Sequence, residues 1–362
     1  MLYAWGDNTY GELGNNSTPD STIDSTTPVP VQLPAGVSAR SVVAGRDHSL
    51  AVGSDGHVYA WGANTFGQLG TGSSGGYSTT PELVRLPAGV SALSVSAGRN
   101  HSLAVGSDGR VYAWGDNRLG ELGAGRSGDY STTPAPVVGL SESVRAQAVF
   151  AGGHHGLALG RDGTLYTWGA NESGQLGDGA TTNRSTPVSA TLPAGVRVVT
   201  VAAGGRHTLA LGADGALYAW GANADGELGD GATTDRARPG AVRLPRGARV
   251  VTAAAGDYYS LAVGSRGALY AWGLNRFGQL GDGTRTTRRT PVAVTLPEGV
   301  PAVAVAARGD FSVALGTGGA VYAWGANGHG EVGDGTRAEQ DSPVRVTLPV
   351  SGGTRPLSLS TP

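Results

Sequence analysis

Seven tryptophans stand at positions 5, 61, 114, 168, 220, 272 and 324, separated by 52 to 56 residues, and the chain of 362 residues has no others. Each lies in one phrase, running from Leu2-Tyr3-Ala4-Trp5-Gly6-Asp7-Asn8 to Val321-Tyr322-Ala323-Trp324-Gly325-Ala326-Asn327 and followed by Gly-(Glu/Gln)-(Leu/Val)-Gly. A second mark is a Pro at 28, 81, 134, 187, 239, 291 and 343, usually behind a Thr. A third, Ala44-Gly45-Arg46-Asp47-His48-Ser49-Leu50-Ala51, recurs near 97, 151, 203, 255 and, degraded, 307, six times in all. Self-similarity at a fixed period confines the fold to units that bury their apolar faces against neighbouring copies.

One unit reads as four short strands, A to D: Ser41-Val42-Val43-Ala44, His48-Ser49-Leu50-Ala51-Val52, Val58-Tyr59-Ala60-Trp61, and a run after the Thr-Pro. Asp55-Gly56 between B and C is a hairpin turn, repeated at Asp108-Gly109, Asp162-Gly163 and Asp214-Gly215. Helical periodicity is absent. Four-stranded units around an axis make a β-propeller. The expectation is therefore one all-β domain over 1–362, a seven-bladed β-propeller of four-stranded antiparallel blades. It is closed by combining N- and C-terminal strands: the chain starts at a C strand, and Pro356-Leu357-Ser358-Leu359 reads as an A strand. No seventh Ala-Gly-x-x-His phrase supplies B, so the closing blade is expected one strand short. A truncated domain is one reading; β-augmentation of the unpaired edge by a partner strand is the other.

Together, Ala-Gly-x-x-His-(Ser/Thr)-Leu-Ala, Asp-Gly, Tyr-x-Trp-Gly-x-Asn and Gly-(Gln/Glu)-Leu-Gly resemble the regulator of chromosome condensation repeat family, over residues 1 to about 350. The resemblance implies a seven-bladed propeller and leaves activity open, because the family is functionally diverse. Guanine-nucleotide exchange, its founding role, uses a long wedge-like insertion for which units of 52 to 56 residues leave no room. Plant UV-B photoreception places Trp where this chain has Arg46, Arg99, Gly153, Gly205, Asp257 and Gly309, which excludes that route. A β-lactamase inhibitor of similar propeller type offers the third precedent, binding through aromatic loops on one face.

Composition removes further classes. All 26 basic residues are Arg, which excludes Schiff-base and phosphate-loop lysines, and zero Cys excludes disulfides and thiolate chemistry. A net charge of −2 argues against nucleic acid or anionic membranes as partners. No leader follows Met1, so the chain as written is expected in the cytoplasm, with a mature secreted form as the alternative. The Arg-only, Ala/Gly/Thr-rich composition points to a GC-rich bacterial genome. No cofactor is expected.

The histidines at 48, 101, 155 and 207 share a position filled elsewhere by Tyr259 and Phe311, which makes them packing groups rather than metal ligands. Asp178, Asp230, Asp282 and Asp334 resemble calcium-loop fragments but lack the acidic positions that follow, and read as turns. Glu12, Glu121, Glu227 and Glu331 alternate with Gln68, Gln175 and Gln279, so that position needs a hydrogen-bond acceptor rather than an acid.

In a meander blade the A–B and C–D connections share one face, and here that face varies between repeats while the other is monotonous. Its A–B loops supply Arg46, Asp47, Arg99, Asn100, His154, Arg206, Asp257, Tyr258 and Asp310. Its C–D loops supply Tyr10, Phe66, Leu119, Phe277 and His329, with Tyr77 and Tyr130 in longer tips. Exposed aromatics and Arg of mixed charge around a central depression fit a noncatalytic scaffold that binds a protein or peptide. The alternative is an enzyme with its pocket at the axis, built from His154, Arg206, Asp257, Tyr258 and Asp310. A repeat array without a ligand is the third reading.

Overall fold

The computed structural model describes residues 1–17, 24–140 and 144–349. A two-stranded ribbon, β1 (Tyr3–Gly6) and β2 (Ser25–Pro30), leads into six four-stranded antiparallel blades. Blade 1 is β3 (Ala39–Ala44), β4 (His48–Gly53), β5 (Val58–Ala63) and β6 (Tyr77–Leu83), in that spatial order. Blades 2 to 6 repeat it over residues 92–136, 146–189, 198–241, 250–294 and 302–345. Strands A of successive blades face one another, which sets them innermost. Strand D forms the outer edge, where its Pro costs no ladder hydrogen bond.

The repeated phrases are the joints of this assembly. Each Trp lies on strand C and donates its indole N–H to the backbone carbonyl of the Glu or Gln in the preceding C–D loop. Trp61 reaches Glu12 at 2.7 Å, Trp114 reaches Gln68 at 2.8 Å, and Trp324 reaches Gln279 at 2.9 Å. The chain of contacts closes on itself, because Trp5 bonds Glu331 at 2.8 Å. Around Trp114, Leu50, Val52, Leu69 and Val84 of blade 1 meet Val95, Ala104 and Tyr112 of blade 2 in one core cluster. The Glu or Gln side chain accepts the N–H two residues back in all seven loops, as in Phe66 N to Gln68 at 2.9 Å and Leu119 N to Glu121 at 2.8 Å. Either residue type satisfies that bond, which is why the two alternate. The Asn after each Trp accepts the N–H five residues on, closing the loop that follows, as in Leu69 N to Asn64 at 3.1 Å.

The buried histidines are packing groups. His48 Nε2 bonds Ser102 Oγ of the next blade at 2.9 Å, His155 bonds Thr208 at 3.1 Å and His207 bonds Ser260 at 2.9 Å. His101 faces Gly156 instead of a hydroxyl, and its Nε2 has no partner among the described residues.

Seven four-stranded blades, the last a single strand short, are not what the chain forms. Among the described residues six sheets have four strands and the ribbon has two. The reason lies in what the tryptophans count. They mark C–D pairs, of which there are seven, whereas the phrase that makes strands A and B occurs six times. The A strand expected at 356–359 lies outside the described residues.

Candidate protein-binding face

The A–B loops are tied into an arc around the axis by backbone bonds from blade to blade. Arg46 N donates to Gly98 O at 3.2 Å, Arg99 N to Gly153 O at 3.1 Å, Gly153 N to Gly204 O at 3.0 Å, Gly205 N to Gly256 O at 3.2 Å, and Asp257 N to Gly309 O at 3.1 Å. The repeat needs Gly ahead of each loop because the His or Tyr ring folds back over it. A Cβ on Gly98 would lie 2.2 Å from the His101 ring. In blade 6 both partners change together, to Arg308 and Phe311. The Arg308 guanidinium reaches across the arc from blade 6 to blade 2 and donates to Ala97 O at 3.3 Å and Gly98 O at 2.6 Å. Burial lowers its pKa, while the carboxylates of Asp257 and Asp47 favour its charge.

At three junctions a C–D loop contacts the A–B loop of the next blade, so the two loop sets share one face there. His154 Nδ1 sits 3.1 Å from Glu121 Oε1, Arg206 is 2.7 Å from Glu172, and Gln279 Nε2 donates to Asp310 at 3.0 Å. These contacts tie His154, Arg206 and Asp310 each to the preceding blade rather than to a common centre. Tyr258 is exposed, and Asp257 is half-buried beside Arg308 and Asp310. Burial raises the pKa of Asp310, with Asp257 adding to it, and burial likewise raises Asp47 against the opposing pull of Arg46.

Tyr10, Tyr77, Tyr130, Arg46, Arg99, Arg206 and His329 are exposed, whereas Phe66, Leu119, Phe277 and Asn100 are half-buried. Tyr77 and Tyr130 open the D strands of blades 1 and 2, and Ser74 bridges between those blades to Tyr130 at 3.3 Å. Two arginines escaped the sequence reading. Arg118 lies over the Phe66 ring at 4.6 Å and Arg276 over Phe277 at 4.5 Å, so both aromatics present a cation stacked on a ring. The signal was available, because the column before the variable C–D position also varies: Thr9, Thr65, Arg118, Glu172, Ala224, Arg276, Gly328.

Two acidic groupings come close enough to hold an ion, Asp7 with Asp24 and His329, and Asp116 with Glu121 and His154. Arginine serves both. Arg337 meets Asp24 at 3.1 Å, and Arg118 grips both oxygens of Asp116. The Asp residues that resemble calcium loops close turns: Asp178 accepts Ala180 N at 3.0 Å and pairs with Arg184 at 2.7 Å, and Asp282 pairs with Arg288 at 2.7 Å.

A family model described as the RCC1-like domain matches residues 1–360. The chain belongs to this family. It is 34% identical over 356 residues to the ultraviolet-B receptor UVR8 of Arabidopsis thaliana, covering 97% of this chain and 79% of the receptor. The solved structure of human WBSCR16 superposes with a TM-score of 0.84 at 26% identity, over 96% of this chain and 94% of that one. Prp20p from Saccharomyces cerevisiae superposes with a TM-score of 0.82 at 26% identity, over 96% and 85%. Mammalian ligases of the HERC group match over a quarter of their own length or less. None of these relatives comes from a bacterium, so the bacterial origin read from composition is not borne out. All seven Trp of this family member donate their indole N–H to a backbone carbonyl of the preceding C–D loop. No helix among the described residues is long and apolar enough to cross a membrane.

Proposed function

We propose that the chain is a noncatalytic module that binds a protein or peptide through the A–B/C–D face. The observation that carries this reading is the combination of a backbone arc fixed from blade 1 to blade 6 with exposed aromatics and stacked arginines standing on it. Rigid aromatic and Arg anchors bind at low entropic cost, and a preformed backbone lowers that cost further. Prp20p, whose binding properties extend to Gsp1p and histones, supports a protein partner for a propeller of this kind. Nucleic acid and membrane are poor candidates for a face where Asp47, Asp257 and Asp310 offset Arg46, Arg99 and Arg206.

The test is capture of partners from the source cells by wild type beside a chain carrying Tyr10→Ala, Phe66→Ala, Asp257→Ala and Tyr258→Ala. A partner lost with the variant at unchanged melting temperature supports the reading. Partners retained at full yield refute it.

A second reading concerns the ribbon. Trp5 is half-buried while the other six indoles are 0 to 1% exposed, and among the described residues β1 pairs only with β2. This supports strand addition at β1 by a partner.

A further inference from the structure

The B–C turns and D–A loops form the face opposite the A–B/C–D face, and their backbone repeats from blade to blade. The first residue of each turn donates its N–H to the residue ahead of strand A, as in Arg161 N to Arg145 O at 3.2 Å, Ala213 N to Arg197 O at 2.9 Å and Ser265 N to Arg249 O at 2.8 Å. Arg145, Arg197 and Arg249 therefore hold one equivalent position in blades 3, 4 and 5. Each lies along the turn glycine of the preceding blade: a Cβ on Gly109, Gly163 or Gly215 would meet them at 3.6, 3.2 and 3.2 Å. Arg161, Arg246 and Arg266 stand in the same turns and loops, and all six arginines are exposed.

Elsewhere in the molecule Arg118, Arg184, Arg206 and Arg288 each pair with a carboxylate. None of these six does so among the described residues, and of the six Arg249 alone makes a side-chain hydrogen bond there, to Asp214 O at 2.6 Å. The acids of the same turns, Asp162 and Asp214, are folded onto their own backbone, accepting Thr164 N and Ala216 N at 3.0 Å. Residues 350–362 contain no Asp or Glu. Beside the arginines runs an apolar column. Strand A is bulged at its second residue, between Val198 and Thr200 in blade 4 and between Val250 and Thr252 in blade 5, which turns that side chain out of the ladder. In four blades the bulged residue is Leu93, Val199, Val251 or Val303, 58, 45, 51 and 49% exposed. Val199 and Val251 line a depression of about 360 Å³ together with Arg249.

We propose that the B–C/D–A face of blades 3 to 5 is a second docking surface, for an acidic protein segment that sets carboxylates on Arg145, Arg197 and Arg249 and seats an aliphatic side chain between Val199 and Val251. Unpaired guanidinium groups steer and register the acidic segment, and burial of the valines holds it. A nucleic-acid strand fits less well, because its phosphates would meet Asp162 and Asp214 among the arginines and it offers no aliphatic side chain to the valines. This surface lies across the ring from the A–B/C–D face, and the inference is independent of the reading given for that face.

A phage library of random peptides is panned on the full chain and counter-selected on a chain carrying Arg145→Gln, Arg197→Gln and Arg266→Gln, three residues without a side-chain bond among the described residues. Sequences combining Asp or Glu with Leu, Ile or Val are expected to be enriched. In fluorescence anisotropy, binding of the most enriched peptide is expected to weaken about tenfold with the triple variant and about threefold with Val251→Ser, at unchanged melting temperatures. A chain carrying Tyr10→Ala, Phe66→Ala, Asp257→Ala and Tyr258→Ala is expected to bind that peptide as wild type does; loss of binding there would move the site to the A–B/C–D face and overturn the inference. Enrichment of neutral or basic peptides, or no enrichment that depends on the three arginines, overturns it as well. So does a DNA duplex that displaces the peptide and binds the Val251→Ser chain undiminished, which would assign the arginines to nucleic acid.

Discussion

The junction between blades 4 and 5 and the junction between blade 6 and blade 1 are built from the same sequence phrases and end up differently. At the first, His207 bonds Ser260, Ser260 and Trp272 both donate to Glu227 O, and Trp272 is fully buried. At the second, the ribbon supplies Trp5 and its bond to Glu331, the described residues include no B strand there, and Trp5 is only half-buried. The contrast separates two jobs of one repeat. The C–D half fastens each unit to the one before it, and the A–B half seals the interface and carries the loops of the proposed binding face.

Acid should break the sealed junctions first. Burial holds the imidazoles of His48 and His155 down to about 3 and those of His101 and His207 to about 4. The unfolded chain takes up protons at these residues below about 6.5 and the folded chain does not. Their stability contribution is therefore whole above that pH and is lost as pH falls toward 4, by up to about 1.4 kcal/mol per pH unit for each imidazole. Urea midpoints measured from pH 7 to 4 should fall steeply; a flat profile would contradict the buried network. Next in size, Trp220→Ala inside a sealed junction is expected to cost about 3–5 kcal/mol and Trp5→Ala clearly less, compared by denaturant unfolding. Equal losses would mean that the ribbon is as well packed as the blades.

Ser102→Gly reproduces between blades 1 and 2 the condition that Gly156 imposes on His101. It leaves His48 Nε2 without its hydroxyl and should lower stability by about 1–3 kcal/mol. The smallest effect is a gain. Burial pushes the Glu12 carboxyl up to about 8, so its side chain burdens the fold increasingly as pH rises above about 4.5. Glu12→Gln, which copies Gln68, should raise stability by about 1 kcal/mol at pH 8 and change nothing at pH 4. A thermal melt at both pH values decides it.

The strands, the hairpin turns and the sharing of one face by A–B and C–D loops were legible because each depends on residues close in sequence and written many times over. Less legible was anything carried by one copy. Counting Trp counted C–D pairs and overstated the four-stranded blades by one. Arg308 looked like decay of a repeat, since its partners Ala97 and Gly98 lie about 210 residues away and nothing local marks the contact. The interblade pairs His154–Glu121 and Arg206–Glu172 are likewise relations between neighbouring units, which a column-by-column reading of the repeats does not compare.

The ring of indole bonds also gives the molecule an optical gauge. Among the described residues six of its seven indoles are sealed from water and one, Trp5, is not. Emission should be blue with a single quencher-accessible component, and whatever settles on β1 would remove that component without touching the rest. Occupancy of this one edge can thus be followed in the unmodified protein, without a dye.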